Sequence, residues 1–142
     1  TSPMELILWR HADAEDGAPD LERKLTARGR KDAERVAAWL LKRLPKHFHL
    51  VASPAVRAQQ TAEALKVKIE TDKRLAPGAS VAAIVAAAKR AEVVVVVGHQ
   101  PDLGRAIASL VGGDEAEWRL QKGALWWIED DLVKAVVSPD LL

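Results

Sequence analysis

"LILWRHADA" (Leu6–Ala14) is the stretch on which the architecture of this chain turns. Leu6, Ile7, Leu8 and Trp9 are apolar without a break, and Arg10 and His11 follow at once. A continuous apolar run, rather than an alternating one, marks a strand covered on both faces. We read Glu5–Trp9 as such a strand. Cover on both faces implies helices on either side of a sheet, so strands should alternate with helices along the rest of the chain.

They do. Asp13–Lys24 is polar, contains Gly17 and Pro19, and reads as a loop. Thr26 reads as an N-cap, and Ala33, Val36, Ala37, Leu40, Leu41 and Leu44 recur at helical spacing up to Pro45. Phe48–Ala52 is a second strand. Ser53 reads as the N-cap of the next helix, with Pro54 at its first position. A short strand is expected at Val67–Glu70 and an alanine-rich helix from Val81 to about Arg90. "EVVVVVG" is β-branched throughout and is the clearest buried strand. A helix follows at Asp102–Val111, and "ALWWIEDDLVKAVV" reads as two strands around a tight turn at Asp130 and Asp131. The expected fold is a single-domain α/β protein. It is a three-layer α/β/α sandwich, with a mostly parallel central sheet and a C-terminal antiparallel hairpin, over residues 4–142. Thr1–Pro3, ahead of the only methionine, read as an expression scar.

Composition narrows the chemistry. With 142 residues the chain is long enough to bury a core. A net charge of +1 carries no global signature of nucleic-acid or membrane binding, so neither partner is expected. The absence of cysteine excludes disulfides, thiolate nucleophiles and Cys-ligated metals, and fits a cytoplasmic setting. There are five Trp and no Tyr, so phenol chemistry is excluded as well. A monomer is expected.

In open α/β sheets ligands bind beyond the carboxyl ends of the strands. Arg10-His11 lies at the end of the first strand. Ser53-Pro54 follows the second, with Arg57 in the next helical turn, and Gly98-His99 follows Val93–Val97. Two arginines, two histidines and the positive ends of helices would meet at one sheet edge and favour a doubly charged oxyanion such as phosphate. A metal site at His11 and His99 lacks a third ligand at a comparable strand end, so no metal and no cofactor is expected.

"RHADA", "LTARGRKDA", "SPAVRAQQTAEAL" and "VVVGHQPDLG", in this order and spacing, resemble the motifs of the histidine phosphatase (phosphoglycerate-mutase-like) superfamily. The short chain, without a large insertion between "QQTAEAL" and "VGHQP", is similar to the SixA-type phosphohistidine phosphatase branch. The resemblance implies His11 as a nucleophile that becomes phosphorylated, Arg10 and Arg57 as the phosphate clamp, and His99 as the second pocket histidine. It also implies that Arg23 borders the phosphate pocket.

Two positions depart from the family pattern. Ala12 stands where the family has glycine. The region matching the family's general acid, "RLAPGASVAAIV", has no carboxylate, as in the SixA-type branch; Asp13 and Glu15, just after His11, are the candidate substitutes. The expected activity is metal-independent hydrolysis of protein phosphohistidine. Hydrolysis of small phosphomonoesters and non-catalytic binding of phosphate or a phosphoprotein are the alternatives. A mutase would need a substrate-enclosing insertion that is missing here.

Overall fold

The computed structural model describes residues 4–142, so the reading of Thr1–Pro3 lies outside the described residues. Six strands form one sheet: β1 (Glu5–Arg10), β2 (His49–Ala52), β3 (Glu70–Thr71), β4 (Val93–Gly98), β5 (Leu125–Glu129) and β6 (Leu132–Val137). Four α-helices join them: α1 (Ala27–Leu41), α2 (Val56–Glu63), α3 (Val81–Ala88) and α4 (Asp102–Gly112). The strand order is β3-β2-β4-β1-β5-β6. β1, β2, β3 and β4 pair in parallel, while β5 is antiparallel to both β1 and β6.

The layers follow from which strand residues face which helices. Ile7, Trp9, Val95 and Val97 pack with Val36 and Leu40 of α1 and Ala58 and Ala62 of α2. Leu6, Leu8, Val94 and Val96 point the other way, onto Ile84 of α3 and Leu103 and Ile107 of α4. This is the three-layer α/β/α arrangement expected from the continuous apolar runs. The tryptophans serve both layers. Trp9 is fully buried and donates its indole N–H to the Gly123 carbonyl at 2.9 Å. Trp127 meets Trp39 edge-on in one layer, and Trp126 lies against Trp118 in the other.

Several boundaries differ from expectation. β1 and β4 each run one residue further, to Arg10 and Gly98. α1 closes at Leu41, and Arg43 and Leu44 form only a turn back to the Leu40 carbonyl. The third strand shrinks to Glu70–Thr71, because only these residues find partners on β2, at Val51 and Ala52. α2 starts at Val56 rather than Pro54, and Ser53 does not cap it. The hydroxyl of Ser53 instead accepts the Ala55 N–H at 3.2 Å in a turn of its own. The tight turn at Asp130 and Asp131 is present, both residues adopting positive φ (48° and 66°) as a hairpin twisted to match its strands requires.

Gly29, in the first turn of α1, permits a close approach that matters for the site. A Cβ there would lie 2.1 Å from the Asp13 carbonyl oxygen, so only glycine lets α1 rest on the segment that follows His11. Thr26 caps that helix, its hydroxyl accepting the Gly29 N–H at 2.9 Å. Among the described residues, no helix is long and apolar enough to cross a membrane.

Candidate active site

The strand order brings the carboxyl ends of β1, β4 and β2 side by side. Register then sets their loops at one level: Arg10 pairs with Gly98, and both Trp9 and Ala52 pair with Val97. Beyond the strands the backbone stays tied, with the His11 N–H donated to the Gly98 carbonyl and the Ser53 N–H to the Val97 carbonyl, each at 3.0 Å. Arg10, His11, Ser53, Arg57 and His99 thereby gather at one edge of the sheet, where they form the candidate pocket.

His11 is 7% exposed. Its Nδ1 lies 2.7 Å from the Ala12 carbonyl oxygen. A carbonyl only accepts, so Nδ1 carries the proton and the neutral ring has its lone pair on Nε2. Burial pushes the His11 pKa down to about 4; the hydrogen bond to Ala12 opposes this, and the charges of Arg57, Arg10 and Arg23 reinforce it. The His99 ring centroid is 5.2 Å away, with the planes tilted by 55°. His99 Nε2 meets the Ser53 hydroxyl at 2.7 Å, and its pKa is pushed down to about 3, first by burial and then by His11 and Arg57.

Both arginines are held by carbonyls. Arg10 donates from Nη1 to Leu120 O at 2.8 Å. Arg57, the second residue of α2 and only 4% exposed, donates from Nη1 to Asp20 O at 2.8 Å and from Nη2 to the Asp20 carboxylate at 3.1 Å. Four buried side-chain polar atoms lack any hydrogen-bond partner among the described residues: Arg10 Nε, Arg57 Nε, His99 Nδ1 and Asp102 Oδ1. Three of them belong to this cluster. Arg10 and Arg57 each keep a buried Nε–H without an acceptor among the described residues, at a cost of about 1–3 kcal/mol apiece.

The remaining candidates fall at different distances from this centre. Arg23 is at the rim, donating Nε to Asp20 at 3.0 Å and Nη1 to the Glu15 carbonyl at 3.0 Å. Asp13 is engaged elsewhere: its carboxylate accepts from the Thr26 hydroxyl at 2.8 Å and from Lys122 at 3.1 Å, and the Thr26 bond, ahead of that from Lys122, lowers its pKa. The Glu15 side chain is exposed. Ala12 is fully buried in the α1–α2 layer with an ordinary negative φ, and its methyl sits 3.8 Å from where a Cβ on Gly123 would be. The methyl therefore packs into the core.

Sequence reading missed the residues that fix these groups. "QQT" at 59–61 looks like plain helix, yet each side chain locks a different loop. Gln59 donates to the Ser53 carbonyl at 2.7 Å, and Gln60 accepts from the Leu25 N–H at 2.8 Å. Thr61 accepts from the Ala12 N–H at 3.0 Å while donating to the Arg57 carbonyl at 2.8 Å. Gln100 does the same on the other side, bonding the Gly104 N–H and the Trp118 carbonyl and so steadying the strip that carries Leu120 O. Asp20 was missed too. Its spacing from Arg23, three residues along a single helical turn, was the available signal.

A family model described as the histidine phosphatase superfamily (branch 1) matches residues 6–77, which carry β1, α1, β2, α2 and β3. The chain belongs to the histidine phosphatase superfamily. An uncharacterized protein of Picosynechococcus sp. is 39% identical over 115 residues, covering 71% of this chain and 69% of its own. Among solved structures, the candidate phosphohistidine phosphatase SixA of Nakamurella multipartitia is 26% identical, with a TM-score of 0.84 over 98% of both chains. The protein histidine phosphatase SixA in complex with tungstate has a TM-score of 0.83 at 24% identity, over 97% of this chain and 99% of that one. An alpha-ribazole phosphatase from Shigella flexneri shares the fold more loosely, with a TM-score of 0.74 at 17% identity over 96% and 97% of the two chains. The SixA-type branch of the superfamily is thus the one this chain is most like among these three, and phosphatase chemistry is the activity that membership supports.

Proposed function

We propose that this protein is a metal-independent phosphatase that works through a phosphohistidine on His11, with protein phosphohistidine as its substrate. The observation that carries the reading is the set of three buried, unpartnered groups, Arg10 Nε, Arg57 Nε and His99 Nδ1, around the free Nε2 of His11. A phosphoryl group would supply oxygen acceptors to the two guanidinium groups and present phosphorus to a neutral imidazole.

In the first step the lone pair of His11 Nε2 attacks phosphorus in line, the P–Nε2 bond forms, and the bond to the leaving group breaks. In the second, water attacks the phosphohistidine, the P–Nε2 bond breaks, and inorganic phosphate leaves. The Nδ1–H···O bond to Ala12 keeps the ring oriented and stabilises the positive charge that forms on it. Arg10 and Arg57 bind the equatorial oxygens, where positioned cations contribute most to phosphoryl transfer. His99, buried and neutral beside the His11 ring, keeps its Nδ1 without a partner among the described residues and serves as the second pocket histidine. We assign Arg23 to the rim of the substrate site. Among the described residues no three His, Asp or Glu side chains gather as a metal site.

Protein phosphohistidine is favoured over phosphomonoesters by the carboxylates that are not within the pocket. The stretch that matches the family's acid region, residues 74–85, has none of its own. Asp72, just before it, is bonded to Arg74 and Arg90, and Asp102 packs against it, accepting the N–H groups of Gly78 and Ala79 at 2.9 and 3.0 Å. An imidazole leaving group needs less help from an acid than an alkoxide does. That the similar protein histidine phosphatase SixA was solved in complex with tungstate, an anion of phosphate's shape, supports the same reading.

The test is a rapid-quench reaction with a phosphohistidine-bearing phosphotransfer domain and with an aryl phosphate. The expected result is catalytic turnover with acid-labile, base-stable phosphate trapped on His11. A protein that binds these substrates but never carries phosphate would be a binding module.

A further inference from the structure

The Asp20 carboxylate sits on the phosphoryl clamp itself. One oxygen takes Arg57 Nη2 at 3.1 Å, the other takes Arg23 Nε at 3.0 Å, and the Asp20 main-chain carbonyl takes Arg57 Nη1 at 2.8 Å. The two partners of the central ion pair are differently placed. Arg57 is 4% exposed and fixed in the wall, whereas the Asp20 side chain is 57% exposed and approaches from the solvent side. Among the described residues, the only hydrogen bonds from the 16–22 segment to anything beyond the 13–25 loop are the two that Asp20 receives from Arg57.

We propose that Asp20 is a displaceable internal counter-ion: its carboxylate occupies Arg57 and Arg23 while the pocket is empty, and a phosphoryl group engages both arginines by displacing it. The proposal rests on the phosphoryl reading of the pocket. Hydrogen bonding to Arg57 holds the Asp20 carboxyl below its ordinary range, so it competes as an anion at neutral pH. Two consequences follow from one contact. Oxyanions bind less tightly than the clamp alone would allow, and product phosphate is expelled as the carboxylate returns. A residue that merely braced Arg57 would act with the opposite sign, because its loss would loosen the guanidinium and weaken binding.

The experiment is calorimetric titration of tungstate into wild type, Asp20→Asn and Asp20→Ala at fixed ionic strength and pH 7, with thermal unfolding as the folding control. Asp20→Asn keeps an acceptor for Arg57 and removes only the charge. The expected result is tungstate affinity tightened by about three- to tenfold, the scale of one charge-assisted contact at a partly exposed pair. KM for an aryl phosphate and the inhibition constant of inorganic phosphate should fall by a similar factor. Binding by the variants when wild type shows none would support the proposal equally. Unchanged or weakened tungstate affinity in both variants overturns the counter-ion role while leaving the phosphatase reading intact. If no form binds an oxyanion, both readings fall. Asp20→Ala, lacking charge and acceptor alike, decides the sign should Asp20→Asn unfold.

Discussion

The Nδ1–H of His11 is donated to the carbonyl oxygen of Ala12 at 2.7 Å, so the ring's attacking nitrogen is chosen by the residue next in sequence. Because burial holds the pKa of His11 down to about 4, and that of His99 to about 3, both rings should be neutral over the physiological range. Nitrogen-detected NMR of the histidine rings should show His11 as the Nδ1–H tautomer and both rings uncharged down to about pH 5. The same depression affects stability. Unfolded histidine takes a proton near pH 6.5 and the native ring does not, so the stabilisation is complete above that pH and is lost as pH falls toward about 4. For His11 this is roughly 3 kcal/mol. Urea unfolding at pH 7 and pH 4.5 should show a steeper loss in wild type than in His11→Ala.

His11→Ala should also abolish turnover without disturbing the fold. The backbone of His11 carries the structural bonds, from its N–H to Gly98 O and from the Gly123 N–H to its own carbonyl, and alanine retains both. Loss of a covalent nucleophile should lower kcat by about 10³-fold or more. A variant keeping a tenth of wild-type activity on an aryl phosphate would remove His11 from that role.

Arg57→Ala should weaken oxyanion binding and catalysis together. The guanidinium is buried and its Nε has no partner within the described protein. Removing a charge-assisted contact of this kind is worth about 1.5–3 kcal/mol, or about 10- to 100-fold in KM for an aryl phosphate, with kcat falling as well. Unchanged tungstate affinity would place Arg57 outside the site.

Ala12→Gly, which restores the family's residue, should cost stability and leave activity within about twofold. The methyl points into the α1–α2 layer and the backbone does not need a positive φ, so glycine brings only a small cavity and added chain entropy, about 1 kcal/mol. Thermal unfolding and steady-state rates on one sample decide it. A rate gain above tenfold would mean that the methyl crowds the pocket after all.

What the sequence made legible was the part set by strong local patterns. Unbroken apolar runs at Leu6–Trp9 and Val93–Val97 gave the covered strands, and the rule for strand ends brought Arg10, His11, Arg57 and His99 to one edge. Less legible were features set by tertiary contact. Ser53 looked like a cap because caps are chosen by residue type, but in the fold its hydroxyl faces His99. Gln59, Gln60 and Thr61 project in different directions from α2, each to a separate loop, and nothing local to α2 announces that. Asp20 sits in a polar loop among Glu15, Asp16 and Glu22, which are all exposed, and only the approach of Arg57 from 37 residues away distinguishes it from them.

The leaving group provides the last test. Alkoxide departure normally draws on a general acid, an assistance of about 10²–10⁴-fold. The first two carboxylates after His11 in sequence are not placed to give it: Asp13 is ionised and bonded to Thr26 and Lys122, and Glu15 is exposed. Asp20 is held as an anion by Arg57. Phosphohistidine avoids the difficulty because its imidazole is readily protonated near neutral pH, and aryl phosphates avoid it because phenolate is a good leaving group. kcat/KM should therefore be high for phosphohistidine protein, measurable for aryl phosphates, and lower by about 10²-fold or more for sugar phosphates. Asp13→Asn and Glu15→Gln should leave that order unchanged, although Asp13→Asn loses the ion pair to Lys122 and some stability with it. Efficient sugar-phosphate turnover that collapses in either variant would reveal a working acid and move the substrate class to small phosphomonoesters.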